Sequence, residues 1–465
     1  MATGKLTMGN KLGYSFGSIT RIGENVFYLY FILFLTTVIG IPPAIAGTIS
    51  LVAILWDAVT DPLVGYFSDN SKSRYGKRRP FMLAASIPLA LSVWLLFVQV
   101  ELGLTGNIIF YTIIGMLFWT FYTMFLIPYD SFGAELTEDY TERATIRSYC
   151  TGAIYISVIL GGSGIILLKG FFNKTMNYSD AISWNYTAAI AALVILAVTL
   201  VTWRVTRGKE AVNVANIVTE SIIKSYKEIF KLKPFRSLAL MGVAYFAANS
   251  MIATATIYLA IYKLGASEAT ISMLILVMSL AVFVSLPFAN KLIEKFGKKK
   301  SMIYSLMFFI IVAIIIYVKG VNSVIDAYVI MVAFSMTNTV VLNASFSMPY
   351  DLGELSEFRT GKSRAVALFA MFSFAMKAGQ AIGQWLIGIL LQYAGFDGMV
   401  YEQTEKANNM IVGMSTIIPS ILIVLAFIAI LFYKLDKKQH AALLNAISLK
   451  KQGKEYSTEG IEELL

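Results

Sequence analysis

Trp56-Asp57-Ala58-Val59-Thr60-Asp61-Pro62, followed by Gly65-Tyr66-Phe67-Ser68-Asp69 and Tyr75-Gly76-Lys77-Arg78-Arg79-Pro80, carries the strongest fold signal in the chain. Asp57 and Asp61 are four residues apart, so on a helix they sit one turn apart on one face. The residues before them, about 44–55, are mostly Ala, Ile, Gly, Val and Leu and carry no charge. This reads as a transmembrane helix with two carboxylates near its middle. A charged group at that depth costs a few kcal/mol or more, so it faces a polar cavity and has a function. Two acids one turn apart hold a cation between them or share a proton. The competing placement puts both acids in a cap beyond the bilayer. Gly65 to Phe67 weigh against it, because they still have to finish the helix before the basic loop begins.

The rest of the composition agrees with a membrane setting. Of 465 residues, 57% are apolar and 14% charged, where a soluble chain carries about 25% charge. The net charge of +10 would suggest nucleic acid in a soluble protein. Here it gathers in the loops of one side and is read as topology, with no nucleic-acid partner. One cysteine, Cys150, excludes an internal disulfide and a Cys-based metal site. One histidine, His440, lies in the C-terminal tail and leaves no intramembrane histidine relay. No nucleophile–histidine pair is available inside the membrane, so an enzyme is not expected. The polar Met1–Asn10 has no cleavable signal pattern.

The expected fold class is an all-α polytopic membrane protein with twelve transmembrane helices in two six-helix halves. The apolar runs fall at about 12–39, 44–68, 81–100, 107–130, 144–168, 184–204, 236–262, 268–290, 301–319, 324–348, 363–393 and 408–433, each long enough to span as a helix of about 20 residues. The domain expectation is an N-terminal half over 1–204, a linker over 205–235, a C-terminal half over 236–433 and a tail over 434–465. Basic residues crowd the loops after even-numbered spans, such as Lys77, Arg78 and Arg79, Arg143 and Arg147, and Lys298, Lys299 and Lys300. The positive-inside rule then places both termini in the cytoplasm of a multi-pass cell-membrane protein.

An internal repeat joins the halves. Arg74-Tyr-Gly-Lys-Arg-Arg echoes Glu294-Lys-Phe-Gly-Lys-Lys-Lys, and Gly76 and Gly297 differ by 221. Pro128-Tyr129-Asp130 echoes Pro349-Tyr350-Asp351, and Arg143 echoes Arg364, at the same offset. Parallel six-helix repeats with a substrate site near the midplane describe a secondary transporter. No Gly-x-x-x-x-Gly-Lys-Ser/Thr is present to suggest an ATP-driven pump.

These residues carry a resemblance. Gly65-x-x-x-Asp69 with Arg74-x-Gly76-x-Arg78-Arg79 resembles the loop signature of the major facilitator superfamily. Trp56-Asp57-Ala58-x-x-Asp61-Pro62, Ile127-Pro128-Tyr129, Gly133-Ala134-Glu135-Leu136-Thr137, Glu357-Phe358-x-Thr360-Gly361-Lys362-x-Arg364 and Lys377-x-Gly379-Gln380-Ala381 resemble the glycoside–pentoside–hexuronide:cation symporters, the melibiose-carrier family. The resemblance covers about residues 8–440. It implies that Asp57 and Asp61 bind the coupling cation, Na⁺, H⁺ or Li⁺, and that Lys377 lies between the halves near the cation and substrate sites. A monomer is the family expectation. The animal lysophospholipid symporters resemble the same pattern, which keeps an amphipathic anion as the alternative substrate.

The sugar-binding pattern departs in three places. Leu126 stands where sugar members carry an Asp or Asn before the helix-four Ile-Pro. Arg21 and Ile22 stand where a helix-one Asp is usual, with Glu24 close by. Cys150 or Thr151 stands where an Arg is frequent in helix five. Arg21 can meet a carboxylate, sulfonate or phosphate bidentately, which motivates an anionic substrate such as a hexuronide as a hypothesis.

Lys377, deep in span eleven, reads either as a substrate contact or as a structural ion pair with Asp57 or Asp61. Arg21 and Glu24, three apart on one face, contact substrate or neutralise each other. Asp130 substitutes for the missing helix-four acid or belongs to a cytoplasmic gate. Tyr28, Tyr122 and Tyr129 are candidates for stacking on a sugar ring, against packing or an interfacial belt. Gln380 and Gln384 hydrogen-bond hydroxyls or glue helices together. Asp69, Arg78, Glu135, Arg143, Glu357 and Arg364 form a cytoplasmic gate or are solvated loop charges. The tail reads as an amphipathic helix without chemistry. The functional expectation is import of a sugar, glycoside or hexuronide by alternating access, coupled to Na⁺ in preference to H⁺ because two close carboxylates suit a hard cation, with no other cofactor. A non-transporting sensor or scaffold is the third reading, and the acid pair with Lys377 argues against it.

Overall fold

The computed structural model describes residues 6–71, 73, 76–133, 136–137, 139–208, 222–361, 364–452, 454–459 and 461–462. Every regular element among them is helical. A chain this apolar, in a solvent without hydrogen bonds to offer, satisfies its backbone within each segment. In order the helices are α1 (Met8–Ser15), α2 (Ile22–Thr37), α3 (Pro43–Asp69), α4 (Arg79–Leu95), α5 (Gly103–Gly133), α6 (Tyr140–Val158), α7 (Ile165–Gly170) and α8 (Asp180–Val205). They continue with α9 (Ile222–Lys231), α10 (Lys233–Tyr258), α11 (Glu268–Lys319), α12 (Val324–Thr360), α13 (Ala365–Tyr393), α14 (Glu405–Ser415), α15 (Ile417–Leu431) and α16 (Lys437–Lys451). A 3₁₀ turn at Phe16–Arg21 joins α1 to α2. Wider π-helical turns occur at Ile159–Gly164, Phe171–Thr175 and Leu259–Lys263.

Among the described residues, ten continuous helical runs are long and apolar enough to cross a membrane, and α4 is a shorter apolar helix. Within α11, Gly297 has a non-helical φ of 79° and ψ of 165°. Ser301 Oγ donates to the Leu292 carbonyl at 2.9 Å, although nine residues of unbroken helix would separate these groups by about 13 Å. The chain therefore doubles back at Gly297, and α11 is two arms. The count of twelve needs both arms, and α4, as separate crossings. Gly76 and Gly297, the repeat mates 221 apart, both take positive φ, 98° and 79°. That region is open to glycine and strained for other residues, so the two basic loops share a backbone requirement as well as a sequence.

The chain divides into two compact units, neither of which is one continuous stretch. The first comprises Met1–Ala215, Ala253–Ser279 and Gln384–Ile411; the second comprises Asn216–Ile252, Leu280–Gly383 and Val412–Leu465. In the first, α3 packs along α5, and α4 along α5 and α8. Its centre is aromatic: Phe27 stacks on Phe31 at 4.6 Å and on Phe118 at 5.6 Å, and Phe97 stacks on Trp184 at 5.3 Å. At one end of this unit, segments distant in sequence are knitted together. Thr36 Oγ1 and the Tyr258 hydroxyl are 3.0 Å apart, Ser163 Oγ donates to the Ser272 carbonyl at 2.9 Å, and Gln392 Oε1 accepts from the Ala44 amide at 3.0 Å. Gly388 lies directly on the backbone of Pro43 and Gly47, and Gly398 on that of Thr36.

In the second unit, Gly379 and Gly383 of α13 lie against the backbone of Val243 and Ala247 on α10, the small-residue contact that lets membrane helices approach closely. The tail helix α16 opens with a capping box at Asp436 and Gln439. It lies on α12: His440 Nε2 is 2.6 Å from Glu354 Oε2, Lys451 Nζ is 2.9 Å from Glu357 Oε1, and the Lys450 ammonium sits 4.8 Å from the Phe358 ring centre.

Candidate functional site

The acid pair is held by the packing of α3 on α5. Trp56 Nε1 donates to Thr120 Oγ1 at 2.8 Å and fixes the register of the two helices. One turn on, the Thr123 hydroxyl lies 3.0 Å from Asp61 Oδ1 and within hydrogen-bond distance of Asp57 Oδ1, and its one hydrogen serves one of the two carboxylates at a time. Asp57 is fully buried. A hydroxyl has one hydrogen and two lone pairs, so Thr123 brings both a donor and an oxygen ligand to the two carboxylates. Thr123 was not among the residues singled out from the sequence. A lone threonine in an apolar run carries no pattern of its own, and only its spacing of three from Thr120 hints that both face one neighbour.

A second polar cluster begins on the same helix. Tyr122, next to Thr123, donates to Glu24 Oε2 at 2.5 Å. Arg21, the last residue of the 3₁₀ turn, reaches Asp130 Oδ2 with Nη2 at 3.0 Å and Glu24 Oε2 with Nη1 at 3.7 Å. Arg21 thus meets two carboxylates already, and the trio carries one negative charge. The side chains of Arg21 and Asp130 are 22% and 40% exposed, so the pair is open to a ligand. Tyr28 leans on Trp119 with ring centres 5.6 Å apart. Asn25 Nδ2 donates to the Arg21 carbonyl at 2.9 Å. Beside it, Gly161 in the π-helical turn lies against Ile22 and Asn25, and the Tyr30 hydroxyl donates to the Gly162 carbonyl at 2.6 Å. These contacts hold the start of α2 against α6 and its extension.

The structure gives two of the other candidates packing contacts. Tyr129 is fully buried, stacked on Tyr14 at 4.6 Å, with its hydroxyl on Ser18 at 2.8 Å and on the Tyr14 carbonyl at 3.0 Å. Gln384 is buried, and its amide donates to Thr254 Oγ1 at 2.9 Å and to the Tyr28 carbonyl at 3.1 Å. It belongs to the first unit. Lys377 and Gln380 lie on α13 in the second unit, both partly exposed.

Of the six gate candidates, Glu135 and the side chain of Asp69 lie outside the described residues. Arg143 Nε donates to the Thr137 carbonyl at 2.6 Å. Arg364 Nη1 donates to Thr360 Oγ1 at 2.9 Å and Ser356 Oγ at 3.2 Å. Glu357 pairs with Lys451. Arg78 leads into α4 at the end of the basic loop. Nearby, Glu142 pairs with Lys11 at 2.9 Å and accepts from the Leu6 amide at 2.9 Å.

Residues 13–437 match the family described as MFS/sugar transport protein. The uncharacterized symporter YnaJ of Bacillus subtilis (strain 168) is 28% identical over 452 residues, covering 95% of each chain. The putative glycoside/cation symporter YagG of Escherichia coli (strain K12) is 25% identical and covers 94% of each chain. The crystal structure of the nucleoside transporter NupG superposes with a TM-score of 0.68 at 14% identity, covering 92% of this chain and 100% of that one, a likeness of fold alone. With the family match running through almost every helix described above, the chain belongs to the glycoside–cation symporters of the major facilitator superfamily, and is a multi-pass membrane transporter rather than an enzyme.

Proposed function

We propose that this transporter imports a sugar or glycoside together with Na⁺, and that the cation binds among Asp57, Asp61 and Thr123. The observation that carries the reading is the single Thr123 hydroxyl contacting both carboxylates. Two carboxylates and a hydroxyl oxygen on rigid helices form an all-oxygen set of the kind hard cations take. Binding a monovalent cation there cancels charge in a low-dielectric region and lowers the cost of occluding the pair. An empty, charged carrier then reorients poorly. Cation and substrate raise each other's affinity by the same factor, as linkage requires.

The substrate is read from the Arg21 cluster. Arg21 already faces Asp130 and Glu24, so an acidic group has to displace a carboxylate to reach it. A hydroxyl-rich neutral ring accepts from Arg21 and donates to Glu24 and Asp130 at once, with Tyr28 and Tyr122 as apolar walls. This favours a neutral glycoside over a hexuronide or a lysophospholipid and agrees with the glycoside named for the relative YagG. In the proposal Lys377 takes part in substrate binding, both termini are cytoplasmic, and the charges of the basic loops belong to a cytoplasmic gate.

The test is uptake of radiolabelled galactoside and glucuronide into proteoliposomes, with an inward Na⁺ gradient and separately a pH gradient, for the parent protein, Asp57→Cys and Asp61→Cys. Na⁺-driven accumulation of the galactoside, lost in both variants while downhill flux survives, is the expected result. Accumulation that ignores both substitutions overturns the cation site, and uptake of neither sugar overturns the substrate class.

A further inference from the structure

In the second unit, a groove of about 370 Å³ runs between the two arms of α11 and the face of α12. We infer that it binds one anionic phospholipid of the leaflet at the basic-loop end, with the phosphate at Lys291 and Lys295 and an acyl chain along the groove. Phe288 is 66% exposed, and Phe308 and Met336 are also exposed; in a membrane-spanning chain such side chains meet acyl chains rather than water.

The serine and threonine hydroxyls along the groove are bonded to backbone carbonyls. Ser285 Oγ donates to the Ala281 carbonyl at 2.5 Å, Ser305 Oγ to the Met302 carbonyl at 2.9 Å, and Thr337 Oγ1 to the Ser305 carbonyl at 3.0 Å. The floor therefore presents hydrocarbon, and a polar solute gains nothing there. From Ser285 to Lys295 the groove follows ten residues of helix, about 15 Å, which equals half of a bilayer core about 30 Å thick. An acyl chain running from the headgroup level to the midplane has this length.

The mouth has the opposite character. Lys291 and Lys295 are spaced i, i+4 and share a face of α11. Both line the groove and are exposed, and neither has a carboxylate within ion-pairing distance among the described residues. Lys295 Nζ lies 5.2 Å from the Phe296 ring centre, and Phe296 packs edge-on against Tyr304 at 5.4 Å, which holds that ammonium at the rim between the two arms. Glu294, between the two lysines, gives its backbone carbonyl to Lys437 Nζ at 2.6 Å. Two cations above an apolar slot match a negative phosphate above a chain, and basic pockets between membrane helices bind such headgroups.

The test uses fluorescence. The six native tryptophans, at 56, 94, 119, 184, 203 and 385, do not line the groove, so Phe308→Trp adds a reporter inside it and the parent signal is subtracted. The protein is reconstituted in phosphatidylcholine vesicles containing increasing brominated phosphatidylglycerol or brominated phosphatidylcholine. Half-quenching is expected at about tenfold lower mole fraction of the anionic lipid at low salt. Adding Lys291→Gln and Lys295→Gln should bring the two curves together, and Lys291→Arg with Lys295→Arg should keep them apart. Coincident curves in the Phe308→Trp protein, or a preference that survives the double glutamine variant, overturn the inference. Loss of the preference on adding millimolar glycerol phosphate also overturns it, by making the mouth a site for soluble phosphate. A melting curve for each variant checks that it is folded.

Discussion

Arg21 and Asp130, 109 positions apart in the chain, meet at 3.0 Å through Nη2 and Oδ2. This contact ties the start of α2 to the end of α5 and sets the charge at the proposed substrate site. At the exposures observed such a pair contributes at most about 1 kcal/mol to stability, so its removal is read in selectivity.

Asp130→Asn releases half of the carboxylate hold on Arg21. The expected outcome is a shift of about tenfold in the glucuronide-to-galactoside uptake ratio toward the acidic sugar, with a melting temperature within a few degrees of the parent. Arg21→Ala added to Asp130→Asn should abolish the shift. Competition uptake in proteoliposomes measures both ratios, and an unchanged ratio in Asp130→Asn would sink the substrate assignment.

Thr123→Val keeps the shape of the side chain and deletes the hydroxyl. Losing a hydrogen-bond partner of a buried acceptor costs about 1–3 kcal/mol, so the Na⁺ concentration for half-maximal uptake should rise roughly fivefold or more. Thr123→Ser should stay near the parent value. Uptake against Na⁺ concentration at fixed galactoside supplies the comparison, and a valine variant with parental Na⁺ dependence would remove Thr123 from the site.

Gly388→Leu places a side chain against the backbone of Pro43 and Gly47. The knitted end of the first unit should then fail to close. With Cys150, the sole cysteine, replaced by Ser, a reporter cysteine at the buried Ala255 should react at least fivefold faster with an impermeant maleimide applied at that end. Accumulation should fall in the same protein. Equal labelling rates would show that the contact is not part of the closure.

Gly297→Ala forces a methyl group into a left-handed backbone position and into contact with Lys437 at 3.0 Å. The strain is worth about 1–2 kcal/mol, and the melting temperature should drop by a few degrees. Gly9→Ala, in α1 with nothing within 4 Å of the new methyl, is the control and should be neutral or slightly stabilising.

The parts of this protein visible in its sequence are those where chemistry and period coincide. Asp57 and Asp61 announce themselves because charge is rare in an apolar run, and Gly76 and Gly297 because a repeat of 221 aligns them. Arg21 and Glu24 were legible as neighbours on one turn. Asp130 as the partner of Arg21 was not, since helix spacing says nothing about a residue 109 positions away. Thr123 was hidden for the same reason, being one polar residue among many. Gln384 shares a face with Lys377 by spacing, yet its amide is bonded to Thr254 and the Tyr28 carbonyl. Helix period fixes direction about the axis and leaves depth and neighbours to packing. The doubling of α11 also escapes a count of helical residues, because one glycine suffices to reverse it.

Docking of α16 on α12 has a consequence for any closure of the basic-loop end. Glu357, a candidate for the proposed gate, is held by Lys451 at 34% and 66% exposure, and Glu354 is held by His440. Contacts as open as these are weak and quickly exchanged. A transporter that cycles many times a second benefits from partners of nearly equal strength in both states, because neither state then becomes a trap. In the proposed gating, α16 keeps these acids of α12 solvated and paired while the gate is open, so trimming it should alter turnover before it alters affinity.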